Sequence, residues 1–451
     1  MTFTEWTNNN VFLLILTLSI LFSIAIWMGY ARGGWNRNLP YLWTLLVYCQ
    51  YILFSPLFFY LNDRRSIIGT DISRYYGLGF FFNCLSILSF IIGYWLINRP
   101  AKNWFKPPGK ILFNREKIIT IVFYSTYCIV LTNMAIGGVN VTNVFAGDEV
   151  VGLGARGGSY FLQNFADSLV SVLVLAYLFD IPRRKLLTWI GLSFFLFSIL
   201  GFRYRIMLSL FGLLFAYLFK NKVGLRQIAW SIASVCVILY VLIFSTVNRK
   251  ELILKQYDHM VYNPFKFRSD GFFEQTRGAL ADMAIYKLYD NSAKNVEHDN
   301  GATIIGYVFI RMIPRSIYPD KDDFYPPPQA KITNQAYEAY WGKKSGEALL
   351  SISSMYIAWG WIGILLGHFI WGLLLRKFTS GLSFLDPFSL ASSIVVALAS
   401  FQWITRGYFP QTVDHFVYLM IPVWVVRYLA KKVVYKKSEI QVLKARAEQH
   451  A

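Results

Sequence analysis

Charge is what this sequence has least of. Asp, Glu, Lys and Arg make up 15% of its 451 residues, against 55% hydrophobic. A soluble domain is nearer a quarter charged, so one large water-soluble fold is excluded. Cysteine is scarce as well. Cys49, Cys84, Cys128 and Cys236 are dispersed and fall inside apolar runs, so they imply neither a disulfide framework nor a zinc site. The five histidines, His259, His298, His368, His415 and His450, show no ligand spacing. There is no Ser-His-Asp arrangement, no P-loop, no internal repeat and no low-complexity tract. The flank Met1 to Asn10 has no Lys or Arg, and the apolar run behind it is too long for a signal peptide.

What is present is a series of apolar runs, each of about twenty residues, the length that crosses a bilayer as a helix. Eleven are read: 10–30, 40–61, 77–98, 118–137, 160–179, 186–201, 206–220, 228–247, 350–375, 388–405 and 415–430. The sixth and seventh are short and meet at Gly201 to Arg205 in a tight hairpin. The expected fold is an all-α polytopic membrane protein, a single integral membrane domain over 1–451.

The net charge of +19 does not signal nucleic acid, because its placement follows the membrane. Twenty-three Lys and Arg lie in alternate short segments: 31–39, 98–117, 180–186, 220–227, 376–386 and the tail after Val426. The opposite short segments hold seven. Positive residues mark the cytoplasmic side, so the N-terminus is expected outside and the C-terminus inside. The basic segments are expected to meet anionic lipid head groups. The seven outer charges are Arg64, Arg65, Arg74, Arg156, Arg203, Arg205 and Arg406, with no Lys among them. Arg grips phosphate or carboxylate with two bonds, whereas Lys is a point charge. An arginine-only face therefore points to an oxyanion ligand.

Between the eighth and ninth runs lies one polar stretch, 248–349, also on the outer side. It carries 14 of the 44 Lys and Arg and 13 of the 25 Asp and Glu, so it is nearly neutral. So long a loop in a compact protein is uncommon unless functional, and it reads as the lid of a site. Within it, 270–290 has amphipathic spacing, with Phe273, Leu280, Ala284 and Leu288 on one side and Arg277 beside them, as an interfacial helix would. Residues 301–313, holding Arg311, suggest a dip into the membrane edge before Pro314 and the turn Arg315 to Lys321.

Other motifs are weaker. Gly152-Leu-Gly154-Ala-Arg156-Gly157 matches G-x-G-x-x-G, but no strand precedes it, so a dinucleotide fold is excluded. A flexible turn, or a backbone nest for phosphate helped by Arg156, remains. Asp320-Lys-Asp322 looks like a metal-binding D-x-D but reads as a solvated turn, followed as it is by Asp323 and three prolines. Asp63 and Asp71 in the first outer loop are eight apart, too far for a paired acid, though this loop could hold the lid down. Asp167 lies inside the fifth run, where a charge is functional by default; a structural pair with an outer arginine is an equal alternative. Arg203 and Arg205 are two apart and cannot share a helix face. Arg203 is preferred as the inward one.

Four features together resemble the Wzy-type polymerases of bacterial surface polysaccharides, which include O-antigen and common-antigen polymerases. They are Gly201-Phe-Arg203 opening a span; Arg277 heading a stretch that ends Tyr289-Asp290-Asn291; Ile313-Pro-Arg315-Ser-Ile-Tyr318-Pro-Asp-Lys321; and Trp359-Gly-Trp361-Ile-Gly363 followed by Thr405-Arg406-Gly407. The resemblance spans residues 120–430. The family's arginine and glycine spaced ten apart have no counterpart here. The resemblance implies a GT-C-like arrangement in the bacterial cytoplasmic membrane, with short amphipathic or re-entrant helices in the outer loop. It also implies a glycosyltransferase that joins oligosaccharide repeat units held on polyprenyl diphosphate, and a chain-length-regulating partner.

On that reading Arg203, Arg277, Arg315 and Arg406, with Arg205 and Arg156 beside them, bind the diphosphate leaving group where its charge develops. Asp282 and Glu347 are the candidates for the base that takes the acceptor hydroxyl's proton, with Glu347 preferred. Neither a metal nor a cofactor is expected. Two alternatives stay open. A ligase would move finished glycan from the same lipid to another acceptor. A transporter of an anionic substrate would be expected to show internal repeats and broken helices near mid-membrane, and neither is legible.

Overall fold

Apolar runs of this length become helices because a bilayer offers no other partner for backbone N–H and C=O groups. The computed structural model describes residues 2–32, 37–97, 107–136, 160–200, 203–221, 257–263, 276–291, 296–313 and 348–448, with isolated positions between 229 and 273 and between 317 and 337. In chain order the main helices are α1 (Phe3–Asn9), α2 (Val11–Ala31), α3 (Leu39–Tyr48), α4 (Ser55–Leu61), α5 (Tyr76–Leu96), α6 (Arg115–Ile136), α7 (Phe165–Leu178), α8 (Arg183–Ile199) and α9 (Arg203–Lys220). They are followed by α10 (Gly278–Asp290), α11 (Tyr307–Met312), α12 (Ser351–Ser380), α13 (Pro387–Arg406), α14 (Phe409–Leu429) and α15 (Lys437–Glu448). Strands among the described residues are two short antiparallel pairs. β1 (Ser66–Ile67) joins β2 (Thr70–Asp71), and β3 (Lys110–Ile111) joins β4 (Lys431–Lys432).

The protein is thus a predominantly helical membrane protein. Among the described residues, six helical segments are long and apolar enough to cross a membrane: Val11–Ala31, Leu39–Leu61, Ser73–Leu96, Arg115–Ile136, Ser351–Ser380 and Pro387–Arg406. Others of the eleven expected runs do form helices but fall short for physical reasons. α7 is apolar but has 14 residues. α8 opens on Arg183, Arg184 and Lys185, α9 carries Arg203, Arg205 and Lys220, and α14 holds Asp414, Arg427 and an internal Pro422. Run 228–247 lies largely outside the described residues, as do Gly152–Gly157 and the turn 319–323.

The chain divides into two units. The first comprises Met1–Pro100, Phe273–Ser380 and Ala399–Asp414. Its centre is the crossing of α5 with α12, where two glycines let the backbones meet. A Cβ on Gly93 would lie 2.1 Å from the Phe369 carbonyl oxygen, and one on Gly372 would lie 2.4 Å from that of Phe90. Small residues at membrane helix crossings permit this approach. At one end of this unit, segments expected on the lysine-rich face come together. Asn38 and Thr379 both reach the Tyr94 hydroxyl at 3.2 Å, and Arg376 lies over the rings of Tyr94 and Trp95. Segments expected on the other face also meet. The Tyr75 hydroxyl donates to Asp290 at 2.9 Å, Thr4 bonds the same carboxylate, and the Thr70 hydroxyl donates to the Ala336 carbonyl. The loop 62–75 thus bonds Asp290 and Ala336 of the 248–349 stretch.

Two expectations about this unit need correction. The lid helix is not an amphipathic helix lying on the interface. Residues 279–286 of α10 are all buried, as is Leu288, because alanines at 279, 281 and 284 leave the helix thin enough to be enclosed. Nor is the ninth run one continuous span. Trp359 (φ −147°) and Gly360 (φ 64°, ψ −149°) break α12. The Ser351 hydroxyl lies 3.3 Å from Nε2 of His368, and a Cβ on Gly363 would lie 2.1 Å from the Met355 carbonyl. Residues 17 apart in a straight helix would be separated by about 25 Å. The first half, 351–358, therefore folds back against the second, 361–380, as a helical hairpin. Asp299 N–H donates to the Ile357 carbonyl at 3.0 Å and satisfies one end of the break.

The second unit comprises Ala101–Phe272, Gly381–Leu398 and His415–Ala451. Here α7 is the central helix, its residues 166–176 all buried. Phe123 of α6 stacks on Trp189 of α8 at 4.5 Å. Segments expected on the lysine-rich face again gather. β3 pairs with β4, Lys185 bridges Glu116 at 3.1 Å, and Lys220 pairs with Asp180.

Candidate functional site

One predicted site residue, Asp282, bonds the backbone of Leu350 just before α12, and two more, Arg277 and Arg406, each stand next to a glycine that packs against Leu350. Leu350 N–H donates to Oδ1 of Asp282 at 3.0 Å. Its carbonyl accepts from Ser354 N–H at 3.2 Å, which starts the half-helix. The first residue of the lid helix, Gly278, would place a Cβ 2.6 Å from the Leu350 side chain. Gly407, at φ 57°, would place one 2.4 Å from the Leu350 carbonyl oxygen. Only glycine fits there, for both space and dihedral reasons. Arg277 is the N-cap of α10 and immediately precedes Gly278; Arg406 ends α13 and immediately precedes Gly407. Each arginine is one residue from a glycine that touches Leu350. Arg406 is exposed and Arg277 half-buried.

Asp282 is 3% exposed. Burial pushes its carboxyl up to about 7, with the Leu350 N–H opposing the shift. The hydroxyls of Ser353 and Tyr286 lie beside it, and that of Ser353 also opposes the shift. Above the half-helix, Tyr356 meets Tyr286, Tyr289 and His298, with ring centroids 5.1–5.5 Å apart. Of the other predicted residues, Glu347, Arg315 and Arg156 lie outside the described residues. For Arg203 only the backbone is described, at the start of α9.

The second unit holds a different polar cluster. Nε of Arg205 donates to Oδ1 of Asp167 at 2.5 Å, and Nδ1 of His415 lies 3.0 Å from Oδ2. The Tyr204 hydroxyl is 3.4 Å from Oδ1, and the guanidinium of Arg205 lies over the Tyr204 ring. Arg205 is 1% exposed and Asp167 and His415 are 3% exposed. The carboxylate accepts only, so Nδ1 of His415 carries the proton between them. Of the two arginines at the start of α9, the one whose inward course is described is Arg205. Its Nε is paired with the Asp167 carboxylate.

Sequence reasoning foresaw an arginine partner for Asp167 but missed His415, whose only signal was an ionisable group near the start of the last span. It also missed the hairpin, whose signal was Trp359-Gly360 inside an apolar run. Among the described residues no group of three or more His, Cys, Asp and Glu could hold a metal ion. No family model, curated protein or solved structure matches this chain.

Proposed function

We propose that the chain is a membrane glycosyltransferase of the polymerase type, joining oligosaccharide repeat units carried on polyprenyl diphosphate at the face whose short loops carry arginine and no lysine. The observation that carries this reading is the convergence at Leu350. A half-helix, a lid helix headed by Arg277 and a turn carrying Arg406 meet at one buried position beside a membrane. Two guanidinium groups held by such fixed backbone suit a diphosphate, whose charge grows as it leaves. In the reaction the acceptor hydroxyl loses its proton to a base and its oxygen bonds the anomeric carbon. The bond from that carbon to the phosphate oxygen breaks, its electron pair leaving on the diphosphate. Glu347, three residues before Leu350, stands as the proposed base. The chain-length-regulating partner and the inner-membrane location belong to the same proposal.

The test is to reconstitute the purified protein in vesicles with a lipid-linked repeat unit. Growth of lipid-linked oligomers supports the proposal. Transfer of preformed glycan to a different lipid, with no oligomer growth, means ligase. One observation favours a second reading. The break at Trp359-Gly360 is the kind of discontinuous helix found at transporter sites, contrary to what the sequence led us to expect. Flux of a labelled anionic glycolipid across the vesicle membrane, without bond formation, would establish that alternative.

A further inference from the structure

We infer that Asp282 is a positioning residue for the two arginines and not the proton acceptor of the reaction. The inference rests on the proposed diphosphate chemistry and names how that site is held together. A general base needs an accessible lone pair within reach of the hydroxyl it deprotonates. Asp282 is enclosed on a helix whose neighbouring positions are all buried, and Oδ1 already accepts the Leu350 N–H. The polar side chains beside it, Ser353 and Tyr286, belong to the packed interior between α10 and α12.

What Asp282 touches defines its task. Leu350 is held from three directions: by the Asp282 carboxyl on its N–H, by Gly278 against its side chain, and by Gly407 against its carbonyl. The two glycines let backbone pack closely against Leu350, whereas the hydrogen bond to Asp282 is the one polar tie described on its N–H. It ties the start of the half-helix to the lid helix. Because Arg277 and Arg406 are the residues just before those glycines, the position of Leu350 sets the spacing between their backbones. Releasing the tie lets the half-helix move, and the lid and the Arg406 turn no longer share a reference. An Asn at 282 keeps a carbonyl oxygen for the Leu350 N–H, while an Ala leaves that buried donor unsatisfied.

The experiment compares wild type, Asp282→Asn, Asp282→Ala, Arg277→Lys and the double variant Asp282→Ala with Arg277→Lys. Each is purified at matched monodispersity and assayed twice, for binding of polyprenyl diphosphate alone and for the rate of oligomer growth. Asp282→Ala should lose about ten- to a hundredfold in both, the size of one lost buried hydrogen bond. Asp282→Asn should recover most of that loss in both. The double variant should be no worse than the poorer single variant by more than about threefold, because both changes disable one clamp. A purely structural role predicts losses that multiply and that track thermal stability. Three results overturn the inference. One is an Asp282→Asn protein that binds polyprenyl diphosphate like wild type yet has no detectable turnover, which is the mark of a base. Another is an Asp282→Ala protein with wild-type binding and rate. The third, a wild-type protein that binds no polyprenyl diphosphate, removes the inference and the proposed function together.

Discussion

Two aspartates in this protein are equally buried and have opposite surroundings. Asp167, in the second unit, faces the Arg205 guanidinium and the His415 ring, one on each oxygen. Asp282, in the first, faces a backbone N–H and two hydroxyls. A buried carboxylate is tolerable only when paired or neutralised. The second unit uses pairing and locks three helices together with an ion cluster. The first uses neutralisation and leaves a carboxyl balanced near neutral pH. The sequence shows each as one acid in an apolar stretch; only the neighbours decide which is a fixed charge and which an adjustable tie.

The largest effect should come from breaking the paired side. Asp167→Ala strips Arg205 of its carboxylate partner in a position 1% exposed. Breaking one half of a buried pair costs about 3–5 kcal/mol. The variant should unfold at markedly lower temperature in detergent and fall in membrane abundance. Replacing both partners with apolar residues of similar size, Asp167→Leu with Arg205→Met, should recover most of the loss. If that double variant is stable and still extends lipid-linked oligomers, Arg205 is no diphosphate ligand. A stable Asp167→Ala alone would show the pair is less enclosed than the geometry indicates.

The neutralised side should answer to pH. Asp282 titrates near 7 when folded against an ordinary value of 3.8. A raised acid binds its proton more tightly in the folded state. Its stabilising contribution is thus whole below about pH 4 and is lost as pH rises through 7. Holding this carboxyl up at about 7 by burial corresponds to at most about 4 kcal/mol. Asp282→Asn cannot ionise, so its unfolding temperature at pH 8 should stand closer to its value at pH 5 than is the case for wild type. Parallel pH dependence in the two proteins would mean that Asp282 is not neutralised by burial.

The contrast also marks what could be read in advance. Six of the eleven expected spans were legible because about twenty apolar residues in a row form a helix long enough to cross a bilayer. Lys110 beside Lys432 and Tyr75 beside Asp290 each join segments that the charge pattern assigns to one face. The half-helix 351–358 was hidden because Ser351–Leu375 carries no Asp, Glu, Lys or Arg, and hydropathy is blind to a reversal of direction at Trp359-Gly360. The convergence on Leu350 was hidden for another reason. It is made by a backbone N–H and two glycines, which carry no charge pattern. His415 was missed because its partner lies 248 positions away along the chain.

The finest probe separates arginine as a charge from arginine as a fork. Arg277 and Arg406 sit one residue from the glycines that clasp Leu350, so their backbones are held firmly. If each grips diphosphate oxygens with two bonds, Lys at either position keeps the charge and loses one charge-assisted bond. That loss is worth about 1.5–3 kcal/mol, or about ten- to a hundredfold in rate. The same reasoning extends to Arg203 and Arg315. Arg64 is the control, since it lies exposed in the first outer loop and its Nε donates to the nearby Ser66 carbonyl. Arg64→Lys should change oligomer growth by less than about twofold. The measurement is oligomer length on gels with membrane abundance of each variant. Should Lys serve as well as Arg at 277 and 406, these residues anchor the protein at the interface and the diphosphate clamp is wrong. Should Arg64→Lys fall as far as Arg277→Lys, the whole arginine face acts as a field, and geometry at Leu350 has no special part.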